Sequence, residues 1–131
     1  MIEAVNLTKR FDDIVAVDHI SATIRDGSVF GLIGTNGAGK STMLNAVAGV
    51  WPVDEGKIFI DSVDVTKLPE HKRAAYLGRV FQDPMTGTAA GMQIEENLAL
   101  AARRGSKRFL KPGITQKERE YYKERLASLG L

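Results

Sequence analysis

The sequence predicts an α/β domain, because strand patterns and helix patterns both occur along its 131 residues. Apolar and polar residues alternate over 15–25, which is typical of a half-buried strand. An almost continuous apolar run over 28–33 is typical of a strand that is buried on both faces. Apolar residues at helical spacing over 41–50 and 93–104 predict two helices. A chain of this length is expected to form one domain.

The first 60 residues are predicted to contain four strands and one helix. Asp26-Gly27 is a strong hairpin signal between the second strand and the third. A glycine-rich stretch separates the third strand from the helix, and Asp54-Glu55-Gly56 predicts a turn into the last strand. The predicted strands cover 2–7, 15–25, 28–33 and 57–60, and the predicted helix covers 41–50.

The remaining residues are predicted to contain three helices and one strand. Pro69 suits a first helical position, and Gly105 suits the end of the second of these helices. Thr115-Gln116-Lys117-Glu118 has the form of a capping box, which predicts where the last helix begins. The predicted order is a helix over 69–76, a strand over 78–81, an irregular stretch over 82–91, a helix over 93–104 and the final helix.

The composition excludes several classes of function. The chain has no cysteine, so disulfide frameworks, zinc knuckles and thiol catalysis are excluded. It has no apolar run of about 18 residues, the length that a membrane helix needs. Its first residues lack the basic-then-apolar pattern of a signal peptide. We therefore expect a cytoplasmic protein.

The charge is small overall and uneven along the chain. The net charge is +2, which gives no reason to expect a nucleic-acid partner. Residues 1–100 hold 9 basic against 13 acidic side chains (−4), and residues 101–131 hold 9 against 3 (+6). The basic segment 103–111 suits either a solvated loop or a surface that attracts acidic lipid or an acidic partner.

A glycine-rich segment carries the strongest chemical signal. Gly34-Thr35-Asn36-Gly37-Ala38-Gly39-Lys40-Ser41-Thr42 fits the P-loop pattern G-x-x-x-x-G-K-[ST]. Glycines allow successive backbone N–H groups to turn toward one polyphosphate, and the positive end of the following helix faces the same charge. Lys40 is expected to reach the β- and γ-phosphates, and the Ser41 hydroxyl is expected to ligate Mg²⁺. The segment predicts nucleotide binding.

With this segment in place, the chain resembles the ATP-binding cassette (ABC) ATPases, a branch of the P-loop NTPases. Thr8-Lys9-Arg10-Phe11 resembles the family's A-loop, whose aromatic residue stacks on adenine, with Phe11 in place of the more frequent Tyr. Val80-Phe81-Gln82-Asp83-Pro84 resembles the Q-loop, which links the nucleotide to the membrane subunit. The resemblance implies that Gln82 touches Mg²⁺ and the attacking water.

The resemblance and the P-loop together define the expected site. Lys40 and Gln82 are the expected catalytic residues, and Ser41 and Gln82 are the expected ligands of Mg²⁺. The expected ATP-binding residues are Phe11, Gly34, Thr35, Asn36, Gly37, Ala38, Gly39, Lys40, Ser41 and Thr42. Trp51, Tyr121 and Tyr122 are expected to be packing residues that need no role toward a cofactor.

The resemblance also implies which parts of the catalytic machinery are missing. Asp61 follows an apolar strand, as a Walker B Asp would, but it comes too soon after the P-loop helix and is expected to lie in a turn. No segment resembles the L-S-G-G-Q signature, the Walker B Asp-Glu pair, the D-loop or the switch histidine. We therefore expect the chain by itself to be inactive as an ATP hydrolase.

The resemblance implies a domain organisation for the whole chain. Residues 1–91 correspond to the P-loop core and an antiparallel β-subdomain through the Q-loop, and 92–131 to the start of a helical subdomain. In P-loop proteins the Walker B strand lies beside the P-loop strand, so the strand over 28–33 is expected to lack a partner. We expect either a fragment stabilised by self-association or part of a longer protein.

The function implied by the resemblance is that of an ATP-binding subunit of a bacterial ABC transporter, importer type. Such a subunit binds Mg-ATP, pairs with a second ATPase subunit as a homodimer, and powers a membrane permease from the inner face of the membrane. Residues 78–90 and 94–100 are similar to importer subunits of which some carry amino acids. Two alternatives remain open: a soluble ABC ATPase without a role in transport, and a catalytically inactive nucleotide-binding fragment.

Overall fold

The computed structural model describes residues 1–106 and 113–131 and divides the chain into two compact units, Met1–Leu77 and Gly78–Leu131. The first unit contains a four-stranded antiparallel sheet in the order β2-β1-β3-β4. Its strands are β1 (Ile2–Phe11), β2 (Ile14–Ile24), β3 (Glu55–Ile60) and β4 (Val63–Asp64), and its helices are α1 (Lys40–Ala48) and α2 (Glu70–Arg73).

β1 and β2 form a hairpin whose tip is Asp12-Asp13, between the paired residues Phe11 and Ile14. The pairing is irregular where Asn6 and His19 adopt positive φ angles of 48° and 47°. Extra residues at such bulges increase the twist of the hairpin. β1 pairs with β3 on its other edge, so β1 is a central strand of the sheet.

The apolar core of the first unit lies between the sheet and α1. Apolar side chains from the strands, from α1 and from the segment after β4 remove one another from water, and this burial is the main stabilising contribution to the unit. The core consists of Ala4, Leu7, Val17, Met43, Ile58, Ile60 and Val65. Met43 therefore anchors α1 to the sheet, which fixes the position of the loop that precedes this helix.

α1 ends in a Schellman motif. Gly49 adopts φ +83°, its N–H donates to the Ala46 carbonyl, and the Val50 N–H donates to the Asn45 carbonyl. These are the two hydrogen bonds that define the motif. A side chain at Gly49 would also lie 2.9 Å from the Arg73 side chain, so glycine is required here for space as well as for conformation.

The second unit contains a short 3₁₀ helix (Pro84–Gly87) and the helices α3 (Ile94–Ala102) and α4 (Gln116–Ser128). The predicted capping box is confirmed: the Glu118 N–H donates to the Thr115 hydroxyl at 3.3 Å, and the Thr115 N–H donates to the Glu118 carboxylate at 2.7 Å. The Arg119 guanidinium makes two hydrogen bonds to the Glu95 carboxylate, which joins α4 to α3.

Two predicted strands are wrong. Residues 28–33 and 78–81 have no regular secondary structure, and Val29, Ile33 and Val80 are almost fully exposed. An apolar run becomes a strand only where a neighbouring strand accepts its backbone hydrogen bonds. In the described residues the sheet is made of β1–β4, so neither run has that neighbour.

Other predicted boundaries need smaller corrections. β1 extends to Phe11 rather than ending at residue 7, because β3 and β2 pair with it on both edges. The helix predicted over 69–76 is helical only over Glu70–Arg73 and continues as turns. The division of the sequence at residue 91 stays a prediction, and the second compact unit begins at Gly78.

Candidate nucleotide-binding site

The loop before α1 has the backbone conformation that its glycines allow. Gly37 has φ +85° and Gly39 has φ +80°, in the left-handed region that residues with a side chain rarely adopt. A Cβ atom at Gly39 would overlap the Ala16 carbonyl oxygen on β2. Gly39 thus permits both the turn into α1 and the close approach of the loop to the sheet.

The Lys40 side chain folds back over this loop. Its Nζ atom donates hydrogen bonds to the carbonyl oxygens of Gly34, at 2.5 Å, and Thr35, at 2.6 Å. The ammonium group therefore lies beside the backbone at the start of the loop over residues 34–39. A negatively charged group that enters the loop would meet this positive charge directly.

The N-terminus of α1 adds further donors to the loop. The Met43 N–H is bonded to the Gly39 carbonyl, at 2.9 Å, so the amides of the three preceding residues lie in the first turn, where α-helices leave N–H groups without intrahelical partners. The positive end of the helix dipole lies at the same point. Backbone amides, the dipole and the Lys40 ammonium are thus groups that could hold an anion with several adjacent phosphates.

The hydroxyls beside the loop suit a magnesium ion that is also held by phosphate oxygens. Ser41 is exposed and Thr42 is half-buried in the first turn of α1. Over residues 1–106 and 113–131, no group of three His, Cys, Asp or Glu side chains could hold a metal ion. Mg²⁺ keeps several waters and commonly binds through one or two protein oxygens and the substrate's phosphates. The donor set at Ser41 fits that mode of binding.

Phe11 lies at the tip of the β1–β2 hairpin and is partly exposed, at 37%. Its ring centroid is 4.9 Å from that of Trp51, with an angle of 80° between the ring planes. The Lys9 ammonium lies 5.1 Å from the centroid of the Phe11 ring. Phe11 is thus supported by neighbours while part of its ring stays accessible to a ligand.

The sheet brings Phe11 close to the loop. Gly39 lies against Ala16 on β2, and Ala16 is two residues from Ile14, the residue paired with Phe11. Two residues of a strand span about 7 Å, and paired residues are about 5 Å apart. The hairpin tip and the anion site are therefore near enough to contact the two ends of one nucleotide.

Gln82 belongs to the second unit, whereas Phe11 and the loop belong to the first. Its side chain is exposed. The Asp83 carboxylate accepts a hydrogen bond from the Met85 N–H at 2.9 Å and caps the 3₁₀ helix. On the other side of Gln82, the Arg79 guanidinium lies 4.6 Å from the centroid of the Phe81 ring. The local chain around Gln82 is held by these contacts, and its role toward a nucleotide stays a prediction.

Asp61 lies in the turn between β3 and β4, with φ +48°, which confirms its interpretation as a turn residue. Tyr122 is buried, as a packing residue should be, and Tyr121 contacts both Tyr122 and Arg125. The basic segment singled out in the sequence lies partly outside the described residues, because residues 107–111 are not among them.

Sequence reasoning missed Arg73. Its side chain is 1% exposed and donates to four carbonyl groups, of which those of Ala46 and Val47, at 2.7 and 2.9 Å, belong to α1. Burial lowers the pKa of the Arg73 guanidinium, which nevertheless stays charged at neutral pH. The sequence showed only a basic residue in the helix predicted over 69–76, where a solvated side chain would look the same.

Comparison with known proteins identifies the family. The sequence pattern of the family described as ABC transporter matches residues 17–131. The chain belongs to the ABC transporter family. This match confirms the resemblance to the ABC ATPases.

Relatives in the ABC transporter family include transport ATP-binding proteins. The chain is 38% identical over 122 residues to the tyrosine transport ATP-binding protein of Clostridioides difficile, covering 89% of this chain and 49% of that protein. It is 37% identical over 103 residues to a probable branched-chain amino acid transport ATP-binding protein of Archaeoglobus fulgidus, covering 77% of this chain and 39% of that protein. The chain thus spans half or less of the length of these relatives.

Solved ABC structures confirm the predicted α/β fold class. The match to a dimeric bacterial ABC transporter cassette covers 100% of this chain and 58% of the cassette chain, with a TM-score of 0.79 and 25% identity. The match to a nucleotide-free ATP-binding cassette from an ABC transporter covers 94% of this chain and 46% of the cassette chain, with a TM-score of 0.67 and 29% identity. Over residues 1–106 and 113–131, no helix is long and apolar enough to cross a membrane.

Proposed function

We propose that this chain binds Mg-ATP as part of an ATP-binding subunit of a bacterial ABC importer. The observation that carries the proposal is the loop over 34–39, in which the Lys40 ammonium, the glycine conformations and the N-terminus of α1 converge on one anion site. Family membership supports the same conclusion, because the similar proteins are named transport ATP-binding proteins.

Each residue of the proposed site has a distinct role. The backbone amides of residues 34–42 and the Lys40 ammonium bind the phosphates, and Lys40 exchanges its carbonyl partners for β- and γ-phosphate oxygens. Ser41 holds the Mg²⁺ ion, which neutralises charge on the β- and γ-phosphates when it is bound. Phe11 stacks on the adenine, and Gln82 orients the attacking water and responds to the γ-phosphate.

Turnover requires groups that this chain does not supply. Positioning of the phosphates is one contribution to catalysis, and activation of the attacking water is another. No segment of the sequence resembles the signature motif or the Walker B Asp-Glu pair. We therefore expect the chain by itself to bind Mg-ATP without hydrolysing it at a useful rate.

The proposal includes partners and a location. The active unit is a homodimer of ATP-binding subunits on the inner face of the membrane, attached to a permease. The dimeric cassette among the similar structures supports the pairing. The names of the relatives include tyrosine and branched-chain amino acid transport, which favours an amino acid as cargo.

The test is calorimetric titration of the purified chain with Mg-ATP, together with an assay of phosphate release. Lys40→Ala removes the ammonium from the anion site and should weaken binding by at least about tenfold, since hydrogen bonds to a charged group contribute about 1.5–3 kcal/mol. Lys57→Ala is the matched control, because Lys57 is an exposed lysine on β3. Equal affinity in the wild type and the Lys40→Ala variant would overturn the proposal.

A further inference from the structure

The contact between Phe11 and Trp51 joins two segments that are far apart in the sequence. Phe11 ends β1, and Trp51 lies just after the end of α1. Their rings meet edge to face, with centroids 4.9 Å apart and planes at 80°. Aromatic rings attract one another in this arrangement because the positive edge of one faces the negative face of the other. The chain has one tryptophan, and it is the residue in this contact.

Trp51 is held in place from both sides along the chain. On its N-terminal side the Val50 N–H donates to the Asn45 carbonyl at 2.9 Å, which completes the Schellman motif of α1. On its C-terminal side the Asp54 N–H donates to the Thr8 carbonyl at 2.9 Å. The segment that carries Trp51 is therefore fixed to α1 at one end and to β1 at the other.

Asp54 also fixes the strand that carries Phe11. Its carboxylate accepts a hydrogen bond from the Arg10 N–H at 2.6 Å and lies 3.8 Å from the Lys9 ammonium. The Lys9 ammonium in turn lies 5.1 Å from the centroid of the Phe11 ring. The Phe11 ring thus contacts both Trp51 and Lys9, although Phe11 lies at an exposed hairpin tip.

We propose that Trp51 is a positioning residue for adenine: it holds the Phe11 ring in the orientation on which the base stacks. The proposal rests on the proposed function, because it requires the base of the nucleotide to lie at Phe11. A ring that is already held loses little conformational freedom when the ligand stacks on it, so the nucleotide binds more tightly. Trp51 itself acts through Phe11 and not through the phosphates.

This role predicts a selective loss of affinity. Trp51→Ala should weaken Mg-ATP binding by about three- to tenfold, the equivalent of one aromatic pair. The affinity for Mg-tripolyphosphate should stay within about twofold of the wild type, because this probe occupies the anion site without a base. Trp51→Phe should keep most of the wild-type affinity for Mg-ATP that Trp51→Ala loses, since it retains an aromatic ring at this position.

The matched control is Tyr76→Ala, which removes a partly exposed aromatic side chain from the same unit. It should change neither affinity. Circular dichroism and thermal melting should show that each variant is folded before it is titrated. A loss of tripolyphosphate binding equal to the loss of Mg-ATP binding would mean a general structural role for Trp51 and would overturn the inference.

Trp51 fluorescence gives a measurement that needs no variant of Trp51. Mg-ATP should change the emission of the wild-type chain, and Mg-tripolyphosphate should not, because only the former brings a base to the Phe11 ring. The response to Mg-ATP should disappear in Phe11→Ala. Mg-ATP binding that depends on Lys40 but not on Trp51 would overturn this inference alone, whereas binding that does not depend on Lys40 would overturn the proposed function.

Discussion

Arg73 is the clearest case in which one side chain determines the local structure. Its guanidinium donates to the carbonyls of Ala46 and Val47 on α1 and to those of Thr66 and Leu68 on the segment after β4, at distances of 2.7 to 2.9 Å. Positive charge near the C-terminus of a helix is also favoured by the helix dipole. Arg73 therefore fixes the end of the helix whose other end carries the anion site.

We predict that Arg73→Leu lowers the free energy of unfolding of the first unit by about 3 kcal/mol, because it leaves buried carbonyl groups without donors. Urea denaturation followed by Trp51 fluorescence measures this unit. Arg10→Leu is the control, since Arg10 makes an exposed ion pair with Glu55 and such pairs contribute about 0–1 kcal/mol. An equal loss of unfolding free energy in the two variants would show that the hydrogen bonds of Arg73 to carbonyl groups contribute no more than an exposed ion pair.

At the scale of single residues, the sequence predicted the features that depend on residues close to one another along the chain. The spacing of Gly34, Gly39 and Lys40 predicted the loop, and the structure has the positive φ angles and the Lys40 contacts that such a loop needs. Arg73 and Trp51 could not be assigned in the same way. The partners of Arg73 on α1 and the partner of Trp51 lie more than 20 residues away, and only the folded chain brings them together.

At the scale of elements, α4 shows that a short pattern can determine where a helix begins. The Glu118 carboxylate accepts hydrogen bonds from the Thr115 N–H, at 2.7 Å, and from the Thr115 hydroxyl, at 2.9 Å. These bonds, with a smaller contribution from Arg103, lower the pKa of Glu118 from its usual 4.5. The charged form of Glu118 is therefore the form that stabilises the helix.

We predict that α4 loses stability when the pH falls. The pKa of Glu118 is lower in the folded chain than in the unfolded chain, so its contribution is complete above pH 4.5 and is lost as the pH falls through the folded-state value. Carbon chemical shifts along α4 should report this loss in the wild type. The pH dependence should be smaller in Glu118→Gln and unchanged in Glu124→Gln, an exposed residue later in the helix. Equal pH dependence in both variants would contradict the prediction.

Strands were harder to predict than helices, for a physical reason. The hydrogen bonds of α1 and α4 lie within the helix, so spacing and caps are sufficient to predict them. A strand forms only beside another strand, and the local sequence does not identify that partner. The run over 28–33 has the apolar composition of a buried strand, yet the described sheet offers it no partner. The pairing of β1 with β3 was missed for the same reason, since 43 residues lie between the end of β1 and the start of β3.

At the scale of the whole molecule, the run over 28–33 leaves apolar side chains exposed in a segment without regular secondary structure. Val29 and Ile33 are 102% and 95% exposed, and the backbone around them takes part in no sheet. Exposed apolar side chains beside unpaired backbone groups favour pairing with another chain. Ile94 is also exposed, but it lies in α3, where the backbone hydrogen bonds are made within the helix.

We predict that the purified chain associates with itself as its concentration rises, so that its average mass by light scattering exceeds the 14.3 kDa of the monomer. The double variant Val29→Thr, Ile33→Thr should lower this average mass, because it removes the apolar contribution to pairing at the exposed run. Ile94→Thr removes a similar apolar side chain from a helix and should leave the average mass unchanged. A monodisperse monomer at every concentration would contradict the prediction, and it would mean that this exposed run does not pair between copies of the chain.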